Sequence, residues 1–245
     1  MMMDIKIDTH THTLASGHAY NTIREMVAVA KERNLEVLAI TEHAPALQGA
    51  CDEYYFHNLR VLPRNYAGMK VLFGTELNIL DKKGRVDLSS EILEEMDIVI
   101  ASLHTKLFED EPTMENYTTA YVNVMKNPAV RIIGHPDDSR FQPDYEVLVK
   151  KAKETDTLLE INNSSLQPFI FRTNARENMI TLLNLCKKYK AKVTTGTDAH
   201  ADIAVGDFDK VKELFAYCDF PEELVMTTDV SKLKPYLRPS LVLGE

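Results

Sequence analysis

The sequence has little cysteine, no long apolar run and no excess of positive charge, and each absence narrows the range of functions. Its three cysteines, Cys51, Cys186 and Cys218, are odd in number and follow no metal-ligand spacing. Reduced structural thiols in a reducing compartment are the expectation. No window approaches the ~18 apolar residues of a membrane span. The opening MMMDIKIDTH lacks the apolar core of a signal peptide. A cytoplasmic protein with no membrane partner is therefore expected. The formal net charge is −9, whereas a chain that grips nucleic acid usually shows a basic face. Pairs such as Lys187-Lys188 read as a solvated helix face, and no stable nucleic-acid complex is expected. No Pro/Gly/Ser-rich linker and no fixed-period repeat interrupts the chain, so residues 1–245 read as one domain. A homo-oligomer is compatible with the sequence.

What is present is an ordinary globular composition, 44% apolar and 27% charged, ordered as alternating strands and helices. Strand-like runs fall at residues 4–9, 36–41 (EVLAIT), 70–75 (KVLFGT), 97–103 (DIVIASL), 129–134 (AVRIIG), 156–161 (DTLLEI) and 191–196 (AKVTTG). Helical patterns fall between them at 21–34, 114–126 with Thr113 as N-cap, 145–154 after Pro143-Asp144, 175–190 and 208–218. Seven strands alternating with helices predict parallel βαβ units. Their near-continuous apolar character predicts a sheet covered on both faces, either a barrel or a doubly wound sheet.

Chemistry enters with the histidines. There are eight, and seven of them (His10, His12, His18, His43, His104, His135 and His200) lie at or just after the end of a predicted strand; only His57 lies elsewhere. The C-terminal ends of parallel strands converge on one face, where active sites form, so these imidazoles are expected to gather although they span nearly the whole chain. Glu76, Asp198, Glu160 and Asn162 also end strand-like runs. His10 and His12 are two apart, which in a strand puts both on one face. A histidine and carboxylate cluster of this kind predicts a multinuclear metal site.

The sequence resembles the PHP (polymerase and histidinol phosphatase) domain family. The resemblance runs through DTHTHTLASGHAY (8–20), AITEHAP (39–45), GTELNI (74–79), ASLHTK (101–106), IIGHP (132–136), LEINNSS (159–165) and TGTDAH (195–200), all in family order. It is nearest to the short, stand-alone, phosphatase-like bacterial members. It implies a distorted seven-stranded (β/α)7 barrel, TIM-barrel-like, with its metal site at the C-terminal strand ends. It further implies three divalent ions, chiefly Zn2+ with Mn2+ or Fe2+ as alternatives. One ion would take His10, His12, Glu76 and Asp198. A second would share Glu76 and add His104 and His135, and a third would take His18, His43 and His200. Closing the barrel would set the last strand beside the first and bring that third group together. The chain departs from the family at Glu42, where Asp is usual.

The chemistry expected is hydrolysis of a phosphate ester, of a small phosphorylated substrate, by a metal-activated hydroxide. Glu76 and Asp198 are the carboxylates on which catalysis would depend. Arg60, Arg64 and Lys106 are candidate cations for the rest of the substrate. No Ser-His-Asp elbow or Walker loop is present. An amidohydrolase-type metal hydrolase is the nearest competitor, but no lysine ends a predicted strand to bridge the ions. A non-catalytic metal-binding module would require closed coordination shells.

Overall fold

The structure, a computed structural model, describes residues 3–168 and 172–238. The strands are β1 (Ile7–Asp8), β2 (Val37–His43), β3 (Asn65–Tyr66), β4 (Met69–Asn78), β5 (Ile98–Ser102), β6 (Ile132–Ile133), β7 (Leu158–Asn162) and β8 (Val193–Gly196). The helices are α1 (Ile23–Glu32), α2 (Glu53–Asn58), α3 (Ser90–Leu93), α4 (Met114–Val124), α5 (Tyr145–Thr155), α6 (Ala175–Tyr189), α7 (Asp209–Tyr217) and α8 (Val230–Leu233). Helix starts follow their side chains. Thr22 and Glu25 form a capping box on α1, Thr113 accepts from the Asn116 amide on α4, and Asp144 accepts from Glu146 and Val147 on α5, each satisfying amide groups that no turn of helix can reach.

Seven strands run parallel in the order β1-β2-β4-β5-β6-β7-β8, and β3 forms a short antiparallel hairpin with the start of β4. All seven residues of β2 are buried, which is why these strands read as unbroken apolar runs rather than alternating ones. The sheet closes on itself past the ends of the first and last strands. The His12 amide donates to Ala199 O at 2.9 Å and the Asp198 amide to His10 O at 2.8 Å. Nearer the strand starts the C-terminal segment wedges between them: Val225 bridges Val193, and the Lys6 amide reaches Thr227 O at 2.9 Å. The result is a nearly closed, distorted seven-stranded barrel, as expected.

Two apolar layers hold it. Outside, the helices pack on the strands; inside, Ile7, Val37, Leu72, Ile98, Ile132 and Leu158 meet Met226, Leu233, Tyr236 and Leu237 of the C-terminal segment. That segment plugs the end of the barrel at which the strands begin, leaving the opposite mouth for polar groups.

Candidate metal centre

Every strand-end group named above arrives at that mouth by local geometry. His43 and Glu76 are register partners on β2 and β4. His104 lies two residues beyond β5 and His135 two beyond β6. His10 and His12 sit on the stretch that crosses from β1 to the loop after β8, from which Asp198 and His200 project. His135 and Asp198 have φ of +28° and +53°, left-handed values that cost a non-glycine residue about 1–3 kcal/mol. Both are pinned: the His135 amide donates to Glu160 Oε2 at 2.7 Å, and the Asp198 amide to His10 O.

Glu76, fully buried, is the hub, and its two oxygens face different partners. Oε1 lies 2.8 Å from His135 Nε2 and 3.3 Å from His104 Nε2. Oε2 lies 2.7 Å from His43 Nδ1, 3.4 Å from His10 Nε2 and 3.6 Å from His12 Nε2. Asp198 Oδ1 closes the other side, 3.3 Å from His12 Nε2 and 3.7 Å from His10 Nε2. His18 Nε2 is 3.0 Å from His200 Nε2. The His43 ring centroid lies 4.9 Å from that of His18 and 5.6 Å from that of His200. His12, His43 and His200 also converge closely enough to share an ion, as do the groups His10, His12, Glu76 and His43, Glu76, His104.

The far side of several rings is held by hydrogen bonds. Glu160 Oε1 takes His10 Nδ1 at 2.8 Å, Asn78 Oδ1 takes His104 Nδ1 at 2.7 Å, and Asp198 O takes His200 Nδ1 at 2.9 Å. Such partners fix which ring nitrogen carries the proton and leave the other as a lone pair facing the cluster.

The electrostatics fit a cation. Burial alone would push the Glu76 carboxyl up, yet the imidazoles of His104, His10 and His43 hold it well below the usual carboxylate range. Burial likewise opposes the ionised form of Asp198, and His10, His12 and Arg172 outweigh it. Burial drives the His43 imidazole down to about 4 and His12 well below its ordinary value, so both rings are neutral near pH 7. His10 goes the other way: burial opposes its charge, but Glu160, Glu76 and Asp198 raise it. Those three carboxylates call for positive charge where His10 stands. Glu76 Oε2, His43 Nδ1 and His135 Nδ1 are buried without a hydrogen-bond partner; the 2.7 Å approach of the first two lacks hydrogen-bond alignment. Buried polar atoms are rarely left so, and Glu76 Oε2 and His43 Nδ1, which converge on one point, suit divalent metal.

The expected substrate cations fare differently. Lys106 stays exposed in the loop beside His104. Arg64 is a correction: it lies at the far end of the barrel, where its guanidinium donates to Asp97 Oδ2 at 2.9 Å and to the carbonyls of Leu59 and Leu62. Asp97 immediately precedes β5, so this pair braces strand starts rather than the mouth. Arg60 is exposed on the turn leading down to it. The helix α2 carries His57 away from the cluster, with its ring beside Glu95. An arginine absent from the sequence-based candidates reaches the mouth. Arg172, in the loop after β7, donates to Asp198 Oδ2 at 2.9 Å and to Ser165 Oγ at 2.9 Å. It lies ten residues past the end of β7, beyond the Ser164–Leu166 turn, so no strand-end position announces it in the sequence. Beside Asp198 and His200 lies a hollow of about 480 Å³ bordered by Tyr20, Asn163, Gln167 and Ile203.

A nearly closed parallel α/β barrel with histidines and carboxylates gathered at its C-terminal mouth defines the class of protein. Within that class the chain belongs to the PHP domain family, which it matches over residues 8–167. It is similar to a probable phosphatase of Clostridium novyi, 44% identical over 236 residues and covering 96% of each chain. A probable phosphatase of Acetivibrio thermocellus is 42% identical with the same coverage. Among solved structures, the histidinol phosphate phosphatase of Lactococcus lactis, complexed with zinc, L-histidinol and phosphate, superposes with a TM-score of 0.61. It is 20% identical, and the match covers 88% of this chain and 94% of that one. An archaeal ribonuclease P structure with mature tRNA gives 0.61 at 15% identity, over 98% and 96%. These last two likenesses are of fold.

Proposed function

We propose that this protein is a metal-dependent phosphatase acting on a small phosphate monoester. The observation that carries the reading is Glu76, a buried carboxylate whose two oxygens face two separate sets of imidazoles. That is the arrangement a ligand bridging two ions requires. His10, His12, Glu76 and Asp198 would hold one ion, Glu76, His104 and His135 the second, and His18, His43 and His200 the third. Zinc suits the imidazole-rich donor set, with Mn2+ or Fe2+ also admissible. Bound ions supply Lewis acidity, lowering the pKa of water and neutralising phosphoryl oxygens during in-line displacement.

The chain's own residues do the rest. Glu76 and Asp198 anchor the cluster and offset its charge. Arg172, beside Asp198, adds a fixed cation toward a phosphoryl oxygen, and Lys106 covers the rim from the other side. The leaving group would occupy the hollow bordered by Tyr20 and Ile203, which carries Asp207 and, among the described residues, no lysine or arginine. This favours a neutral or amine-bearing alcohol over a polyanion. The close identity to relatives named probable phosphatases along almost the full length supports the same reaction. The test is a screen of phosphorylated metabolites, histidinol phosphate among them, with Zn2+, Mn2+ or Mg2+ restored to chelated protein. Metal-restored release of phosphate from a monoester is the expected result. Metal-restored hydrolysis of amides or lactones with no phosphate release would overturn the reading.

A further inference from the structure

Unlike His10, His104 and His200, whose outer nitrogens meet a carboxylate, an amide oxygen and a backbone carbonyl, His12 turns its outer nitrogen to a hydroxyl. His12 Nδ1 lies 3.2 Å from Ser16 Oγ. A hydroxyl can either donate or accept, so by itself it would not decide which nitrogen of the ring carries the proton. The surroundings of Ser16 settle which role its hydroxyl takes toward His12. Ser16 Oγ donates its one proton to Glu42 Oε2 and accepts the His43 amide at 3.1 Å. The Glu42 carboxylate is buried and points away from the cluster, into the Leu14–Ser16 turn. It also accepts the Thr13 hydroxyl, and the Thr13 amide at 3.2 and 3.1 Å to its two oxygens. With its proton committed to Glu42, the Ser16 oxygen has only acceptor capacity left for His12.

We infer that Ser16, oriented by Glu42, is a positioning residue for the metal centre: it fixes His12 as the Nδ1–H tautomer and so turns the Nε2 lone pair toward Glu76 and Asp198. Nε2 lies 3.6 Å from Glu76 Oε2 and 3.3 Å from Asp198 Oδ1, where an ion held by those groups would meet it. A neutral imidazole protonated at Nε2 cannot be a ligand there. Glu42, on β2, reaches across to the turn and closes this chain of bonds.

The inference rests on the metal reading proposed above, and two readouts separate them. The first is the His12 tautomer in metal-free protein, read by long-range 1H–15N correlation of the imidazole. The second is Zn2+ affinity by competition with a chromophoric chelator. Wild type is expected to show the Nδ1–H form. Ser16→Ala is expected to show a mixture of tautomers and a roughly 10- to 100-fold loss of affinity at one ion, the size usual for removing an outer partner of a ligand. Thermal unfolding of the metal-free variant checks that it is folded. Glu42→Gln, which keeps the size and removes the charge that commits the Ser16 proton, should move the tautomer in the same direction. It decides the matter should Ser16→Ala not fold. A His12 that stays Nδ1–H in the folded variant, with unchanged Zn2+ affinity, overturns the inference and leaves the metal reading intact. Wild-type protein that binds no Zn2+ overturns the metal reading, while the tautomer still reports on the Ser16 relay.

Discussion

A single residue, Glu76, joins the two halves of the candidate site, and substitution there should separate ligand loss from substrate loss. Glu76→Gln keeps the shape but removes the charge that His104, His10 and His43 stabilise. It should lower phosphatase activity more than about 100-fold and reduce bound metal. Lys106→Ala removes one exposed rim cation and should leave metal content unchanged with a much smaller loss of activity. Elemental analysis alongside steady-state kinetics compares the two; equal kinetics and equal metal in both would remove Glu76 from the bridge. The cysteines give a second residue-scale test. Burial pushes the Cys51 thiol up to about 12, and Cys186, fully buried, is raised as well. Thiolate is the reactive form, so neither should be alkylated by iodoacetamide in the native protein near neutral pH. Rapid native-state modification of either, mapped by mass spectrometry, would contradict this.

At the scale of elements, the end of β8 shows how tightly the strands set the site. A Cβ added to Gly196 would stand 2.1 Å from Glu160 Oε1 and 2.5 Å from His10 Cβ. Gly196→Ala should therefore destabilise the fold by about 2–4 kcal/mol and displace His10 and Glu160 together. A shifted denaturation midpoint with loss of metal is expected, and wild-type stability would show that the strand has slack here. The strands themselves were legible because burial on both faces writes them as short apolar runs, and the histidines were legible because their position at strand ends is a topological signal. What escaped were short elements without periodicity: β3, the short helices α2, α3 and α8, and the segment beyond Cys218. Met226, Leu233, Tyr236 and Leu237 of that segment meet the barrel interior only in three dimensions, so no local pattern announces them. Arg64 was misplaced for a related reason. Its sequence position follows β2, but the chain has by then run down to the start of β4, where Asp97 takes it.

For the whole molecule, the barrel draws three acidic groups, Glu76, Glu160 and Asp198, into a buried mouth among histidines. Without cations that gathering is costly, because buried charge needs a partner. Metal binding should then be coupled to stability. A site saturated 1,000-fold above its Kd contributes about 4 kcal/mol, and in a chain of this size each kcal/mol moves Tm by about 2–4 °C. Chelation should lower Tm by about 10 °C or more, reversibly on adding Zn2+; an unchanged Tm would mean that the cluster is stable empty. The most direct test of the account is the metal content of protein purified without chelator, followed through stepwise removal and return of metal while phosphate release from a monoester is measured. About two to three equivalents of transition metal are expected, set by the imidazole-rich donor groups, with activity lost and regained in step with them. Fewer than about one equivalent, or phosphatase activity that persists after complete removal, would contradict it.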